Sequence, residues 1–315
     1  MTLGNTRSSE SAADLAERVQ AGDRRALARV ISLIENGDPA VRSVMKELTP
    51  LASGARVIGL TGAPGAGKST VTGALIKEFR KQDLKVAVLA VDPSSPFSGG
   101  ALLGDRVRMA DHATDPGVYI RSMASRGQLG GLAAATPQAV RALDCAGFGV
   151  ILLETVGVGQ AEVEIASAAD STVVLVVPGM GDSIQAAKAG VLEIADVLVV
   201  NKADRPDTQP TVRDLRNMVA LSSADWKPPI VTTVGTTGEG IDDLVRHLGR
   251  HWDWLGETGE RDRRRLVRAR DEVTALAFGA VRDRLVLADD LAARVVAGDL
   301  GPHEAAAELL ASAGL

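Results

Sequence analysis

The chain has 315 residues, 45% of them hydrophobic and 24% charged, enough apolar material for one large domain with appendages. A formal charge of −5 and only 3% aromatic residues exclude a broad basic face for nucleic acid and a row of base-stacking platforms. One cysteine, Cys145, excludes an intrachain disulfide and a multi-cysteine metal site, and reads as a small buried residue ahead of an apolar strand.

In chain order, residues 1–10 have the composition of a disordered segment without the apolar stretch of an export signal, so the expectation is a cytoplasmic protein with no membrane contact. From Ser11 to residue 55 apolar positions recur with helical spacing (Leu15, Val19; Leu27, Val30, Ile31, Ile34; Val41, Val44, Met45, Leu48), predicting a preface of two to three helices. Its breaks fall at Gly22-Asp23 and Gly37-Asp38-Pro39, where Asp can cap and Pro can open a helix. Residues 56–255 change rhythm. Apolar strands at Val57–Thr61, Val86–Val91, Val118–Ser122, Val150–Glu154, Thr172–Val177, Val197–Asn201 and Ile230–Val234 alternate with helices. That rhythm predicts an α/β fold, a mostly parallel central sheet flanked by helices. Residues 256–315 carry no strand signal. A long helix over Glu260–Leu287 has an apolar stripe of Leu266, Val273, Leu276, Ala277, Val281 and Leu285, and shorter helices follow at Leu291–Val296 and Pro302–Ala311. The stripe is a candidate dimer surface, and the six arginines of Arg261–Arg270 read as a solvated face. His247 and His251, with helical i, i+4 spacing, read as a surface pair.

Chemistry enters directly after the first strand. Gly62-Ala63-Pro64-Gly65-Ala66-Gly67-Lys68-Ser69 fits GxxxxGK[ST] between a strand and a helix, with Thr70 next. Glycines let backbone N–H groups turn inward at a helix N-terminus and cradle phosphate, making this a P-loop NTPase signature. Lys68 reaches the β/γ-phosphates, and the Ser69 hydroxyl can ligate Mg²⁺. After a later strand stands Asn201-Lys202-Ala203-Asp204. The Asp204 carboxylate can accept from both the ring N–H and the exocyclic amine of guanine, a donor pair adenine lacks. Asn201 suits the O6/N7 edge of the base, Lys202 can lie along the ring, and Gly235-Thr236 follow the next strand where a backbone N–H meets the base oxygen. GTP is therefore the expected nucleotide. Asp92, Asp105 and Glu154 form the expected Mg²⁺ and switch side, with Glu154 three residues before Gly157 where ordinary GTPases place an Asp.

Together GAPGAGKS, DPSSPFSGGALLGDRVRM (residues 92–109) and ETVGVGQ (residues 154–160) resemble the MeaB/ArgK-type GTPases, chaperones of adenosylcobalamin-dependent methylmalonyl-CoA mutase. The resemblance covers nearly the whole chain. It implies a homodimer formed through the C-terminal helices, with slow GTP hydrolysis that gates cofactor loading and protects the mutase. It places Lys68, Ser69, Asn201, Lys202 and Asp204 on the nucleotide, and Asp92, Asp105 and Glu154 on the metal and switches. Residues 179–188, Gly179 to Lys188, match a switch loop that senses the partner. Val234-Gly235-Thr236 departs from the Ser-Ala pair of many relatives. Asp105 or Glu154 is expected to orient the attacking water, and Gln160 stands three residues beyond Gly157, which implies slow intrinsic turnover. Arg108, Gln185 and Lys188 are the candidates for partner-stimulated hydrolysis.

Three other readings stand beside this one. A small-molecule kinase needs an acceptor pocket, and no separate substrate domain is evident. A nickel-insertion GTPase needs a Cys/His site that one cysteine and four scattered histidines do not supply. A binding module would hold GTP without hydrolysing it.

Overall fold

The computed structural model describes residues 11–92, 112, 114–124, 135–155, 167–179, 193–285 and 289–314. All seven apolar runs form strands: β1 Arg56–Gly62, β2 Val86–Asp92, β3 Val118–Ala124, β4 Val150–Thr155, β5 Ser171–Val176, β6 Val197–Asn201 and β7 Ile230–Thr233. They build one sheet in the order β3-β2-β4-β1-β5-β6-β7, each neighbouring pair parallel. Strands covered on both faces need apolar residues at odd and even positions, which is why β5 and β6 are buried throughout.

Three helices, α1 Ala12–Gln20, α2 Arg24–Asn36 and α3 Ala40–Leu48, form the N-terminal preface. Ser11 and Asp14 close a capping box on α1, and Asp23 accepts the Arg25 and Ala26 N–H groups at the start of α2. With α5, Ala135–Cys145, they bury against the sheet face that carries Val57, Leu89, Ile151 and Leu153. On the opposite face α4, Lys68–Arg80, and α7, Ile241–Glu257, pack on Ile58, Leu60, Val88, Leu152 and Val173. Helix α6, Thr208–Ala220, covers Val174, Val176 and Leu198 with Val212 and Leu215. Cys145 is buried with its Sγ 3.1 Å from the Leu48 carbonyl, and burial pushes its thiol up to about 11, in line with a structural role.

The amino end of the sheet corrects two expectations. The run Arg261–Arg270 opens α8, Glu260–Arg284, and its inner face is not solvated. Arg264 grips the buried Asp196 through two bonds of 3.0 Å, and Arg265 and Arg268 both reach the buried Asp170, the latter at 2.5 Å. Arg56, Arg261 and Arg265 stand 5.0–5.7 Å from the centre of the Trp252 ring. Burial lowers the Arg56 guanidinium to about 10 against the opposing charges of Asp253 and Asp170. The two acids also hold the sheet itself, since Asp170 accepts from Val57 N at 3.0 Å and Asp196 from Thr172 N at 2.8 Å. His251, expected at the surface with His247, is fully buried. Its Nδ1 lies 2.8 Å from Ser171 Oγ and its Nε2 3.2 Å from Asp196 Oδ1.

Contacts divide the chain into two compact units, residues 1–268 and 269–315. The first includes the start of α8, whose Arg264 and Arg268 bond Asp196 and Asp170. The second contains the rest of α8, α9 Asp289–Ala297 and α10 Pro302–Ser312. It leaves Val273, Phe278 and Val296 largely exposed. Among the described residues no helix is long and apolar enough to cross a membrane.

Candidate functional site

Strand order reverses around β1, with β4, β2 and β3 on one side and β5, β6 and β7 on the other. In open parallel sheets such a reversal opens a crevice beyond the carboxyl ends of the strands. The phosphate loop lies there, between the end of β1 at Gly62 and the start of α4 at Lys68. Two of its glycines are sterically required. Gly62 has φ 142° and Gly67 φ 90°, and a Cβ would run into the Leu175 carbonyl at the first and the Asn201 side-chain amide at the second.

Lys68 is buried, with Nζ 2.6 Å from the Gly62 carbonyl and 3.3 Å from that of Ala63, so its charge is folded back over the loop it serves. Ser69, on the first turn of α4, donates to Glu154 Oε1 at 2.5 Å. Glu154 is buried near the end of β4, level with Leu60 on β1 and Ala90 on β2. That register puts Asp92, two residues past Ala90 at the end of β2, on the same rim. A second hydroxyl, Thr72 Oγ1, lies 3.1 Å from Glu154 Oε2 and 3.0 Å from the Lys68 carbonyl. Hydroxyl and carboxylate oxygens are the hard donors that Mg²⁺ prefers, and a serine oxygen touching a carboxylate oxygen is a donor set of that kind. Ser69 and Glu154 therefore fit the metal assigned to them.

The base side is tied to the phosphate side through one carboxamide. Asn201 donates from Nδ2 to the Ala66 carbonyl at 2.8 Å, while its Oδ1 accepts from Thr233 Oγ1 and from Gly235 N, both at 3.1 Å. Its oxygen and one amide proton thus serve the protein rather than a base edge. Lys202 takes the left-handed conformation at φ 59°, unusual for a residue with a Cβ, and its Nζ reaches the Gly65 carbonyl at 2.9 Å. The stem of Lys202 is therefore laid along the loop, and Asp204, two residues on, is exposed. Ser69, Thr70, Gly235 and Thr236 line one cleft of about 470 Å³, together with Lys77 and His112.

The structure thus gathers Gly62–Thr70, Glu154, Asn201, Lys202, Gly235 and Thr236 on one rim, with Asp204 at its exposed edge. Asp105, Arg108, Gly157, Gln160, Gln185 and Lys188 lie outside the described residues, as does the side chain of Asp92. Two residues of the site were not singled out from the sequence. Thr233 is buried at the end of β7, and Thr72 is a polar residue among the core-facing positions of α4, three residues after Ser69. A threonine on the buried face of the helix that follows a phosphate loop was the available signal.

Comparison with known proteins agrees with this geometry. A relative from Pyrococcus horikoshii is 47% identical over 302 residues, which cover 93% of this chain and 95% of that protein. The GTPase ArgK of Escherichia coli is 36% identical over 243 residues, 74% of this chain and 73% of its own length. A crystal structure of a LAO/AO transport system kinase superposes with a TM-score of 0.72 at 24% identity, covering 98% of both chains, and shows the shared fold. The sequence signature of the methylmalonyl-CoA mutase-associated GTPase MeaB matches residues 27–290. With most of its length inside that signature, and its phosphate loop, Glu154 and Asn201–Asp204 gathered on one rim, the chain belongs to the MeaB family of mutase-associated GTPases.

Proposed function

We propose that the protein binds GTP with Mg²⁺, hydrolyses it slowly, and uses the cycle to gate loading of adenosylcobalamin into methylmalonyl-CoA mutase and to protect that enzyme. The observation that carries the nucleotide reading is the Asn201 junction, where one carboxamide holds both the phosphate loop and the loop after β7. Phosphates would lie on the inward backbone N–H groups of Gly62–Gly67, with Lys68 turning its ammonium from the loop carbonyls to the β/γ oxygens. Guanine would rest along the Lys202 stem with its donor edge on Asp204. Mg²⁺, held by Ser69 with Glu154, Asp92 and Asp105 around it, would supply charge neutralisation. Glu154 or Asp105 orients the attacking water. Lys188, with Arg108 and Gln185, answers the partner. The exposed Val273, Phe278 and Val296 support a homodimer built through the C-terminal helices.

Membership of the MeaB family supports the mutase as the protein partner, and the hydroxyl–carboxylate pair beside the phosphate loop supports turnover over passive binding. The test is retention of the mutase on the immobilised protein with GTP, GDP or a non-hydrolysable GTP analogue. Nucleotide-dependent retention of the mutase is the expected result. Equal retention, or none, in all three states would remove the gating role. In the same preparation Asp204→Asn should bind GTP about a hundredfold or more weakly, since two bonds to a charged acceptor are lost, and an unchanged Kd would remove Asp204 from base recognition.

A further inference from the structure

Glu154 is a buried carboxylate, and two of its partners are neutral hydroxyls on one helix. Ser69 and Thr72 are three residues apart on α4, so both present their side chains to the same side, towards β4. The two hydroxyls are not equivalent. The Ser69 oxygen is also the one that the phosphate-loop reading assigns to the cation, and an oxygen whose lone pairs face a cation can still donate its proton, but with altered geometry and reach. Thr72 has no such second duty. Its Oγ1 stands between the Lys68 carbonyl at 3.0 Å and Glu154 Oε2 at 3.1 Å, with one proton to share between two acceptors. The Lys68 carbonyl, being inside a helix, also accepts the backbone N–H four residues on. Giving the Thr72 proton to Glu154 therefore orphans nothing.

We propose that Thr72 is a positioning residue for the reaction: it anchors Oε2 of Glu154 so that the carboxylate keeps its place beside Ser69 when the Ser69 hydroxyl is turned to another ligand. The inference rests on the assignment of Glu154 to the working site given above. Position 72 faces the core among Val71, Leu75, Ile76 and Phe79 and is wholly buried. Packing there calls for an apolar residue, and the hydroxyl is an exception that the acid explains. Thr72 does not touch substrate in this arrangement. It acts through Glu154.

The experiment compares wild type with Thr72→Val, Thr72→Ser and Glu154→Gln in the full chain. Two readouts are taken: the Mg²⁺ concentration that half-maximally slows release of a fluorescent GDP analogue, and the single-turnover rate of GTP hydrolysis at saturating Mg²⁺. A thermal melt accompanies each variant. Loss of a bond to a charged acceptor should raise the Mg²⁺ requirement of Thr72→Val about tenfold and lower its rate by a similar factor. GDP affinity measured in chelator should stay within about twofold of wild type, and Thr72→Ser should restore both readouts. A Mg²⁺ requirement and rate for Thr72→Val equal to wild type, with Glu154→Gln impaired, would overturn the role of Thr72 alone. Parallel loss of GDP affinity in chelator and of thermal stability, unrestored by serine, would overturn it too, by reducing Thr72 to packing. Wild-type hydrolysis by Glu154→Gln would overturn the assignment of Glu154, and the proposal for Thr72 with it.

Discussion

The two ends of the sheet bury acids in different company. At the amino end Asp170 and Asp196 are clamped by the guanidiniums of Arg264, Arg265 and Arg268, and each also accepts a backbone N–H of the sheet. At the carboxyl end Glu154 takes bonds from Ser69 and Thr72, and Lys68 rests on two loop carbonyls. A buried carboxylate bound by guanidinium is matched in charge and geometry, and parting the pair leaves an uncompensated ion. A hydroxyl or carbonyl contact can be exchanged for a ligand contact with little net change. The amino end is thus fastened by charge, while at the carboxyl end the Ser69 hydroxyl and the Lys68 ammonium rest on contacts that a ligand can replace. The same residue types serve as fastening or as machinery according to what faces them.

This contrast can be broken in three ways. The largest effect is expected from Lys68→Ala. It should abolish productive GTP binding or hydrolysis, seen as a loss of about a thousandfold or more in single-turnover phosphate release, while the melting temperature barely moves. A near-wild-type rate would sink the phosphate-loop assignment. Next comes Asp196→Ala, with the opposite pattern: about 3–5 kcal/mol of stability lost in denaturant titration, because Arg264 and the Thr172 N–H lose their acceptor, and GTP affinity largely kept by whatever fraction is folded. If this variant melted like wild type, the clamp would be ornamental.

The smallest effect is on pH. Burial alone would raise the Asp196 carboxyl, but the His251 imidazole 3.2 Å away and the bonds from Arg264 outweigh it and hold it below the ordinary carboxylate value. Its contribution is therefore complete above the unfolded pKa of about 3.9 and is lost as the pH falls through the lower folded value. The gap in melting temperature between wild type and Asp196→Asn should be flat from about pH 5 to 7 and should narrow below about pH 4. A gap that widens in acid would show that the folded carboxyl lies above its unfolded value.

Which parts of this were legible in the sequence follows from the range of the interactions. The seven strands were readable because two-sided burial writes a continuous apolar run, a local signal. The phosphate loop and Asn201–Asp204 were readable because their spacing is fixed by one turn of chain. The arginine clamp was not, because composition cannot tell a solvated helix face from one answered by Asp170 and Asp196, which precede it by 68 to 98 residues. His251 failed for the same reason: its i, i+4 partner His247 is on its own helix, but its polar partners, Ser171 at the start of β5 and Asp196 just before β6, are far away in sequence. Read from the sequence, Asn201 meets a base edge only, whereas its carboxamide bonds Ala66, Thr233 and Gly235. That its carboxamide spans two loops depends on the distance between Ala66 and Gly235, which no local pattern records.

That carboxamide has a thermodynamic consequence. Three backbone segments, at Ala66, Asn201 and Gly235, meet on one planar carboxamide, so moving any one of them breaks a bond to it. On the proposed reading, guanosine alone and pyrophosphate alone would each have to order the whole junction for half the contacts. The intact nucleotide orders it once, and should bind more tightly than the two fragment affinities multiplied together imply.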